Sequence, residues 1–136
     1  GMDAACFWFE PANGRLIFAG ARLSMFVLRP EADAVEMLDA QRKGVGYVDS
    51  DFDYAWQNQE AILPPGSVVF VSTDGLVDQI GGPRGIAFGK RRVRELLLEH
   101  KEKTPSELNA ALLESLRIWQ GEHHRRDDLT FFCFRT

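Results

Sequence analysis

The chain has 136 residues, of which 45% are hydrophobic and 26% are charged. These values are typical of one globular domain and exclude a disordered, collagen-like or coiled-coil chain. No apolar run reaches the roughly 18 residues that span a bilayer, and no signal-peptide pattern is present, so we expect a cytoplasmic protein without membrane contact. The net charge of −4 gives no reason to expect nucleic acid as a partner. Cys6 and Cys133 fit reduced thiols on buried strands better than a disulfide framework.

Strands dominate the first half of the predicted fold. Cys6–Glu10 and Arg15–Ala19 flank an Asn-Gly pair, which predicts a hairpin with a tight turn. Both faces of the first strand are apolar, so we expect both to be covered. Residues 39–59 are polar and predict a long loop with a short strand around Tyr47. The remaining predicted strands are Met25–Leu28, Ala34–Leu38, Ala61–Leu63 and Ser67–Ser72.

The second half predicts two helices and a final strand. An apolar stripe within Lys90–Lys101 indicates the first helix. The capping box at residues 104–107 begins the second helix, and Gly121 ends it. The final strand is expected at Leu129–Arg135. Because strands and helices do not alternate strictly, we predict an α+β fold with a largely antiparallel sheet packed with two helices.

Carboxylates lie at the ends of two apolar strands. Asp74 follows the Val-Val-Phe-Val strand, and Gly75 after it lets the chain turn sharply. Asp127 and Asp128 lie just before the final strand. If the two strands are neighbours, Asp74 and Asp127 meet, and carboxylates without nearby His or Cys suit hard cations such as Mg²⁺ or Mn²⁺. Taken singly, each pattern is also typical of an ordinary turn or a solvated acidic pair.

These two patterns occur together in a known family. Residues 63–75 resemble the Leu-x-x-Gly-Asp … Ser/Thr-Asp-Gly segment of the metal-dependent protein phosphatase (PPM) family, most closely its bacterial SpoIIE-like branch. Phe88-Gly89, the helix after it and Arg-Arg-Asp-Asp-Leu-Thr at residues 125–130 recur there in the same order. The resemblance extends to the opening hairpin and so covers nearly the whole chain. It implies one partial domain, residues 1–136, forming part of the family's αββα sandwich.

The resemblance implies a protein serine/threonine phosphatase that holds two Mn²⁺ or Mg²⁺ ions. In that chemistry a metal-activated water attacks the phosphorus while the ions neutralise charge on the phosphoryl oxygens. For this chain it implies metal ligands at Asp74, Asp127 and, secondarily, Asp128, a turn shaped by Gly75, and possible phosphate contacts from Arg125 and Arg126.

One family motif has no convincing counterpart in residues 1–60. It is an upstream Asp-Gly that supplies the carboxylate bridging both metals; Asp3 matches instead the strand after it. We interpret the loop acids at positions 49, 51 and 53 as a solvated acidic cluster. For Asp78 we predict a structural role. We therefore expect the C-terminal part of a catalytic domain. For this chain alone we predict weak or absent metal binding and little or no phosphatase activity.

The implied partner is a phosphorylated protein, such as an anti-sigma-factor antagonist in bacterial signalling or sigma-factor regulation. A partial domain also exposes apolar sheet surface, so we predict a homodimer or other self-association. The alternative function is a non-catalytic pseudophosphatase or regulatory protein-binding module. A protein that only binds a structural ion is a third, more distant possibility.

Overall fold

The computed structural model describes Gly1–Thr136 and contains two antiparallel sheets, a short hairpin and three helices. The strands are β1 (Ala4–Glu10), β2 (Arg15–Ala21), β3 (Met25–Leu28), β4 (Glu36–Leu38), β5 (Gln59–Ile62), β6 (Val68–Ser72), β7 (Ile80–Gly81), β8 (Ile86–Ala87) and β9 (Phe131–Arg135). The helices are α1 (Asp74–Val77), α2 (Gly89–Glu99) and α3 (Pro105–Gln120). This arrangement confirms the predicted α+β fold, with α1 and the β7–β8 hairpin as additions.

The two sheets and the helices form three layers. The first sheet has the order β1-β2-β5 and packs on the second, which has the order β4-β3-β6-β9. The core between the sheets contains Leu16, Phe18, Met25, Val27, Leu63 and Val69. The other face of the second sheet carries a larger core against α2 and α3, built around Phe26, Phe70, Phe88, Val93, Leu97, Leu108, Leu112 and Leu116. The second sheet is therefore buried on both faces, and its β6 leads directly to Asp74.

Local capping chemistry explains the limits of α3. The Thr104 hydroxyl accepts a hydrogen bond from the Glu107 amide at 3.2 Å, and the Glu107 carboxylate accepts one from the Thr104 amide at 2.9 Å. Gly121 follows the last helical residue with a positive φ of 53°. These contacts confirm the helix predicted from the capping box. None of the three helices is both long and apolar enough to cross a membrane.

The outer face of β1 differs from the prediction. Trp8 is 64% exposed, and Cys6 on the same strand face is exposed as well. Only the inner face is covered, where Phe9 packs against Phe134 with ring centroids 5.6 Å apart. The predictions that both faces of this strand are covered and that Cys6 is buried are therefore wrong, whereas Cys133 is buried and both thiols are free. β1 is an edge strand with one open face.

The predicted strand around Tyr47 is also wrong. Residues 39–58 form two isolated bridges, Met2 with Val45 and Ala21 with Gln41, and no strand. The Tyr47 side chain reaches back to the start of the chain, where its hydroxyl donates a hydrogen bond to Asp3 Oδ1 at 3.1 Å. The loop thereby fixes Asp3 immediately before β1.

Candidate active site

The two acidic segments lie side by side because β6 and β9 are neighbouring antiparallel strands. Their register pairs Ser72 with Phe131, the last residue of β6 with the first of β9. The backbone pairing continues one step further, since the Thr73 amide donates to the Thr130 carbonyl at 2.8 Å. The residues that follow β6 therefore meet the residues that precede β9, as the sequence patterns predicted.

Thr73 fastens the two segments with its side chain. Its hydroxyl accepts a hydrogen bond from the Thr130 amide at 3.0 Å. The hydroxyl hydrogen faces two carbonyl oxygens, that of Asp128 at 3.1 Å and that of Thr130 at 3.3 Å. Thr73 is thus a positioning residue for the acidic pair, a role that the sequence motif did not reveal.

Gly75 permits a close approach between the same segments. A Cβ atom at this position would collide with the Asp128 carbonyl group, whose carbon would lie only 3.0 Å away. The Asp127 carbonyl oxygen would lie 3.4 Å from it. Gly75 is also buried, so the backbone has no free space into which it can shift. Glycine is therefore required here for contact across the site.

The carboxylates repel one another at this junction. Partial burial raises the pKa of Asp74, and the negative charge of Asp127 raises it further, with smaller contributions from Asp78 and Asp3. The Asp127 carboxylate accepts a hydrogen bond from the Asp128 amide at 2.8 Å. No basic side chain forms an ion pair with Asp74 or Asp127. The junction therefore carries unbalanced negative charge that a cation would relieve.

The other residues named from the sequence lie either around the junction or away from it in an exposed loop. Asp78 caps α1, and its amide donates to the Asp74 carbonyl at 2.8 Å. The negative charge of Asp3 also raises the pKa of Asp74, although no pattern in the sequence indicated that Asp3 approaches the junction. Asp128 is exposed beside Asp127, as are Arg125 and Arg126. The loop acids Asp49, Asp51 and Asp53 are exposed, and Asp51 faces Lys43 at 3.5 Å.

Comparison with known proteins identifies the architecture that carries this junction. The family model described as Stage II sporulation protein E (SpoIIE) matches residues 1–136. The chain belongs to the SpoIIE family. The predicted resemblance to the SpoIIE-like branch of the metal-dependent phosphatases is therefore confirmed over its full length.

Solved structures of SpoIIE-family and PP2C phosphatase domains share the fold. The SiaA-PP2C domain of Pseudomonas aeruginosa is 36% identical, with a TM-score of 0.88 over 98% of this chain and 51% of that chain. The PP2C phosphatase domain of SpoIIE from Bacillus subtilis, with a fragment of its regulatory domain, is 18% identical, with a TM-score of 0.74 over 94% of this chain and 36% of that chain. This chain thus spans about half the length, or less, of these two chains. No curated protein matches it at a significant level.

The SpoIIE and PPM families are metal-dependent, and the donor atoms at the junction suit a divalent ion. Carboxylate oxygens are the ligands that Mn²⁺ and Mg²⁺ prefer. However, no group of three or more His, Cys, Asp or Glu side chains is arranged to hold a metal ion. The carboxylates of Asp74 and Asp127 nevertheless fit the chemistry of such a site.

Proposed function

We propose that this chain forms part of the active site of a metal-dependent protein serine/threonine phosphatase that hydrolyses phosphoserine in bacterial signalling or sigma-factor regulation. One observation carries the proposal: Thr73 and Gly75 hold Asp74 against the Asp127 segment in a chain that belongs throughout to the SpoIIE family. Phosphoryl transfer needs positioned charge more than covalent chemistry. A pair of fixed, unneutralised carboxylates supports that role.

Each residue of the site has a proposed task. Asp74 and Asp127 hold divalent ions through their carboxylates, and Asp128 is a secondary ligand. Gly75 keeps the two segments close enough to share a site. When bound, the ions supply water activation and charge neutralisation at the phosphoryl group. Arg125 and Arg126, which lie exposed in the same segment, provide guanidinium groups suited to phosphate oxygens.

The ligand set proposed here is completed by residues outside this chain. Two carboxylates form too small a set for tight binding of a divalent ion, because affinity follows the number and placement of charged ligands. We therefore expect little or no Mn²⁺-dependent hydrolysis of a phosphoserine peptide by this chain alone. Robust turnover by the isolated chain would contradict the proposal that residues outside this chain complete the metal site.

A metal titration tests the acidic pair directly. Electron paramagnetic resonance of free Mn²⁺ should give a dissociation constant on the order of 10⁻³ M for this chain. Asp74→Asn or Asp127→Asn should weaken binding about tenfold or more, because each removes one of two charged ligands. The amide is close in size to the carboxylate and relieves the repulsion at Asp74, so folding should be kept.

Asp53→Asn is the matched control for this titration. It removes the same charge from an exposed loop position outside the junction. If the control weakens Mn²⁺ binding as much as Asp74→Asn does, the pair is not a metal site. Mg²⁺ competition against Mn²⁺ then reports which ion the oxygen ligands favour.

The alternative function is a non-catalytic pseudophosphatase or regulatory protein-binding module. The coding sequence upstream of Met2 discriminates between the two functions. An in-frame Asp-Gly motif there, followed by Mn²⁺-dependent hydrolysis of phosphoserine by the extended polypeptide, supports the enzyme. Partner binding without turnover by that polypeptide supports the regulatory module.

The proposed partners are a phosphorylated protein substrate, of the anti-sigma-factor antagonist class, and a second copy of this chain, both in the cytoplasm. The open strand edges support self-association. β1 and β9 each form the edge of a sheet, and Phe7 lies between Phe132 and Phe134 with ring centroids 5.9 Å and 5.7 Å away. Both edges therefore lie on one side of the sandwich, where exposed aromatic rings leave the strands unprotected.

Self-association should be visible in sedimentation velocity over a concentration series. Trp8→Lys should weaken it about tenfold or more, because the change places a charge on the open face of β1, where Trp8 is 64% exposed. Ile118→Lys is the control, since Ile118 is 67% exposed on α3. A wild-type chain that remains strictly monomeric at high concentration would contradict the prediction.

A further inference from the structure

A basic concavity of about 570 Å³ opens where the start of β3 meets the loop after β4 and the start of α2. Three cationic side chains line it, those of Arg22, Arg42 and Lys90, together with the single carboxylate of Asp39. The whole chain has a net charge of −4, so a local excess of positive charge stands out against the rest of the surface. We define these four residues and their neighbours Ser24 and Gln41 as the basic cleft.

Arg22 is held rigidly at one wall of the cleft. It is the one non-glycine residue with a positive φ, 64°, a conformation that costs about 1–2 kcal/mol for an ordinary residue. Its amide donates to the Gln41 carbonyl at 2.9 Å, which fixes this backbone against the loop. Its guanidinium lies 4.5 Å over the Tyr47 ring and 3.7 Å from Asp3 Oδ1. Strained backbone held by surrounding contacts is a feature of binding sites.

Arg42 and Lys90 are the uncommitted charges of the cleft. Both are exposed, and neither forms an ion pair with any carboxylate of the chain. Arg22 is partly neutralised by Asp3, but it donates through Nε to the Arg42 carbonyl at 3.4 Å and so ties the two arginines together. The cleft therefore offers free cations next to a preorganised arginine, an arrangement that suits carboxylates.

Strand pairing places the cleft at the end of the second sheet that carries Asp74. β3 begins at Met25, which pairs antiparallel with Val71 of β6, so Ser24 in the cleft lies at the level of Ser72, two residues before Asp74. With neighbouring strands about 4.8 Å apart and about 3.3 Å per residue along a strand, the backbones of Ser24 and Asp74 are separated by about 12 Å at most. An extended peptide covers that distance in about four residues. A peptide whose phosphoserine lies at Asp74 can therefore place nearby side chains in the cleft.

We propose that the basic cleft binds acidic side chains that flank the phosphorylated serine of a protein substrate. This inference rests on the proposed phosphatase function and names the substrate class of the same site. The acidic junction repels an anionic substrate until cations are bound, and the cleft supplies attraction close by. Three cations are too few for nucleic acid, whose affinity comes from many phosphate contacts. Acidic protein segments fit the charge and the size of the cleft.

Fluorescence anisotropy of labelled, unphosphorylated peptides tests the cleft without metal or turnover. A peptide with aspartates on both sides of its serine should bind, and the same peptide with asparagines should not. The Arg42→Gln/Lys90→Gln double variant should weaken binding on the order of fivefold, the effect expected from two exposed charge contacts. Both side chains are exposed, so the variant should fold, which thermal unfolding checks.

Lys103→Gln/Arg117→Gln is the control of equal charge. Both of these residues are exposed at or near α3 and lie outside the cleft. Equal affinity of the two double variants would overturn the proposal, as would equal binding of the aspartate and asparagine peptides. Full displacement of the peptide by millimolar inorganic phosphate would assign the cleft to a small anion instead. No step of the peptide-binding experiment needs metal. A failed Mn²⁺ titration would therefore count against the proposed metal site without changing the result for the cleft.

Discussion

Phe70→Ala is expected to lower the free energy of unfolding by about 3–5 kcal/mol. Phe70 is fully buried at the centre of β6, where it pairs with Phe26 on β3 and Cys133 on β9. Its ring lies 6.1 Å from that of Phe26 and 5.9 Å from that of Phe131. Removing it leaves a cavity in the larger core, between the second sheet and the helices, which the stiff sheet cannot close. Urea denaturation followed by circular dichroism measures the loss.

The size of this effect has a consequence for the site. A domain of this length is stable by about 5–15 kcal/mol, so the substitution removes a large share of the total. Ile118→Ala is the control, because Ile118 is 67% exposed and its loss should change stability by less than about 0.5 kcal/mol. If Phe70→Ala costs under about 1 kcal/mol, β6 is not the rigid support of Asp74 that its burial indicates.

Local chemistry explains which parts of the fold the sequence could predict. The predicted limits of the strand Met25–Leu28 agree with the observed ones, because a short apolar run between polar neighbours is typical of a buried strand. α3 was predicted from the capping contacts of Thr104 and Glu107, which lie three residues apart. α1 has only four residues, and β7 and β8 have two each, so they are too short to show a periodic pattern.

Burial on the open face of β1 could not be predicted in the same way. The apolar residues of this strand indicate that burial of both faces is favourable, but they do not indicate which part of the protein covers each face. In the structure Phe9 meets Phe134 on one face, whereas Trp8 on the other meets solvent. The sequence therefore reports a preference for burial that the fold of this chain satisfies on one side only.

In the candidate site, too, the local features could be predicted from the sequence, whereas contacts between residues far apart in the sequence could not. The positions of Asp74 and Asp127 at strand ends were visible in the sequence, and their meeting follows from the pairing of β6 with β9. Thr73 was missed as a positioning residue because its hydrogen bonds depend on the register of strands 57 residues apart. Asp3 was missed because Tyr47, which holds it, lies in a loop with no secondary structure to guide prediction.

Gly75→Ala is expected to destabilise the chain by about 3 kcal/mol and to weaken Mn²⁺ binding at the acidic pair. Gly75 is a buried residue of α1 that faces the Asp128 backbone, so an added methyl group meets a carbonyl instead of a flexible side chain. The chain can accept the methyl only by moving the Asp127 segment away from Asp74. Urea denaturation and the Mn²⁺ titration measure the two effects on the same protein.

Gly46→Ala separates this collision from the general cost of losing a glycine. Gly46 has a φ of 68° and no atom within 4 Å of an added Cβ, so its replacement should cost only about 1–2 kcal/mol of backbone strain. Gly75 has no positive φ, so its whole cost must come from contact. Stability and metal affinity should therefore fall together in Gly75→Ala, whereas only stability should fall in Gly46→Ala. Wild-type Mn²⁺ affinity in a folded Gly75→Ala variant would show that close approach of the two segments does not build the site.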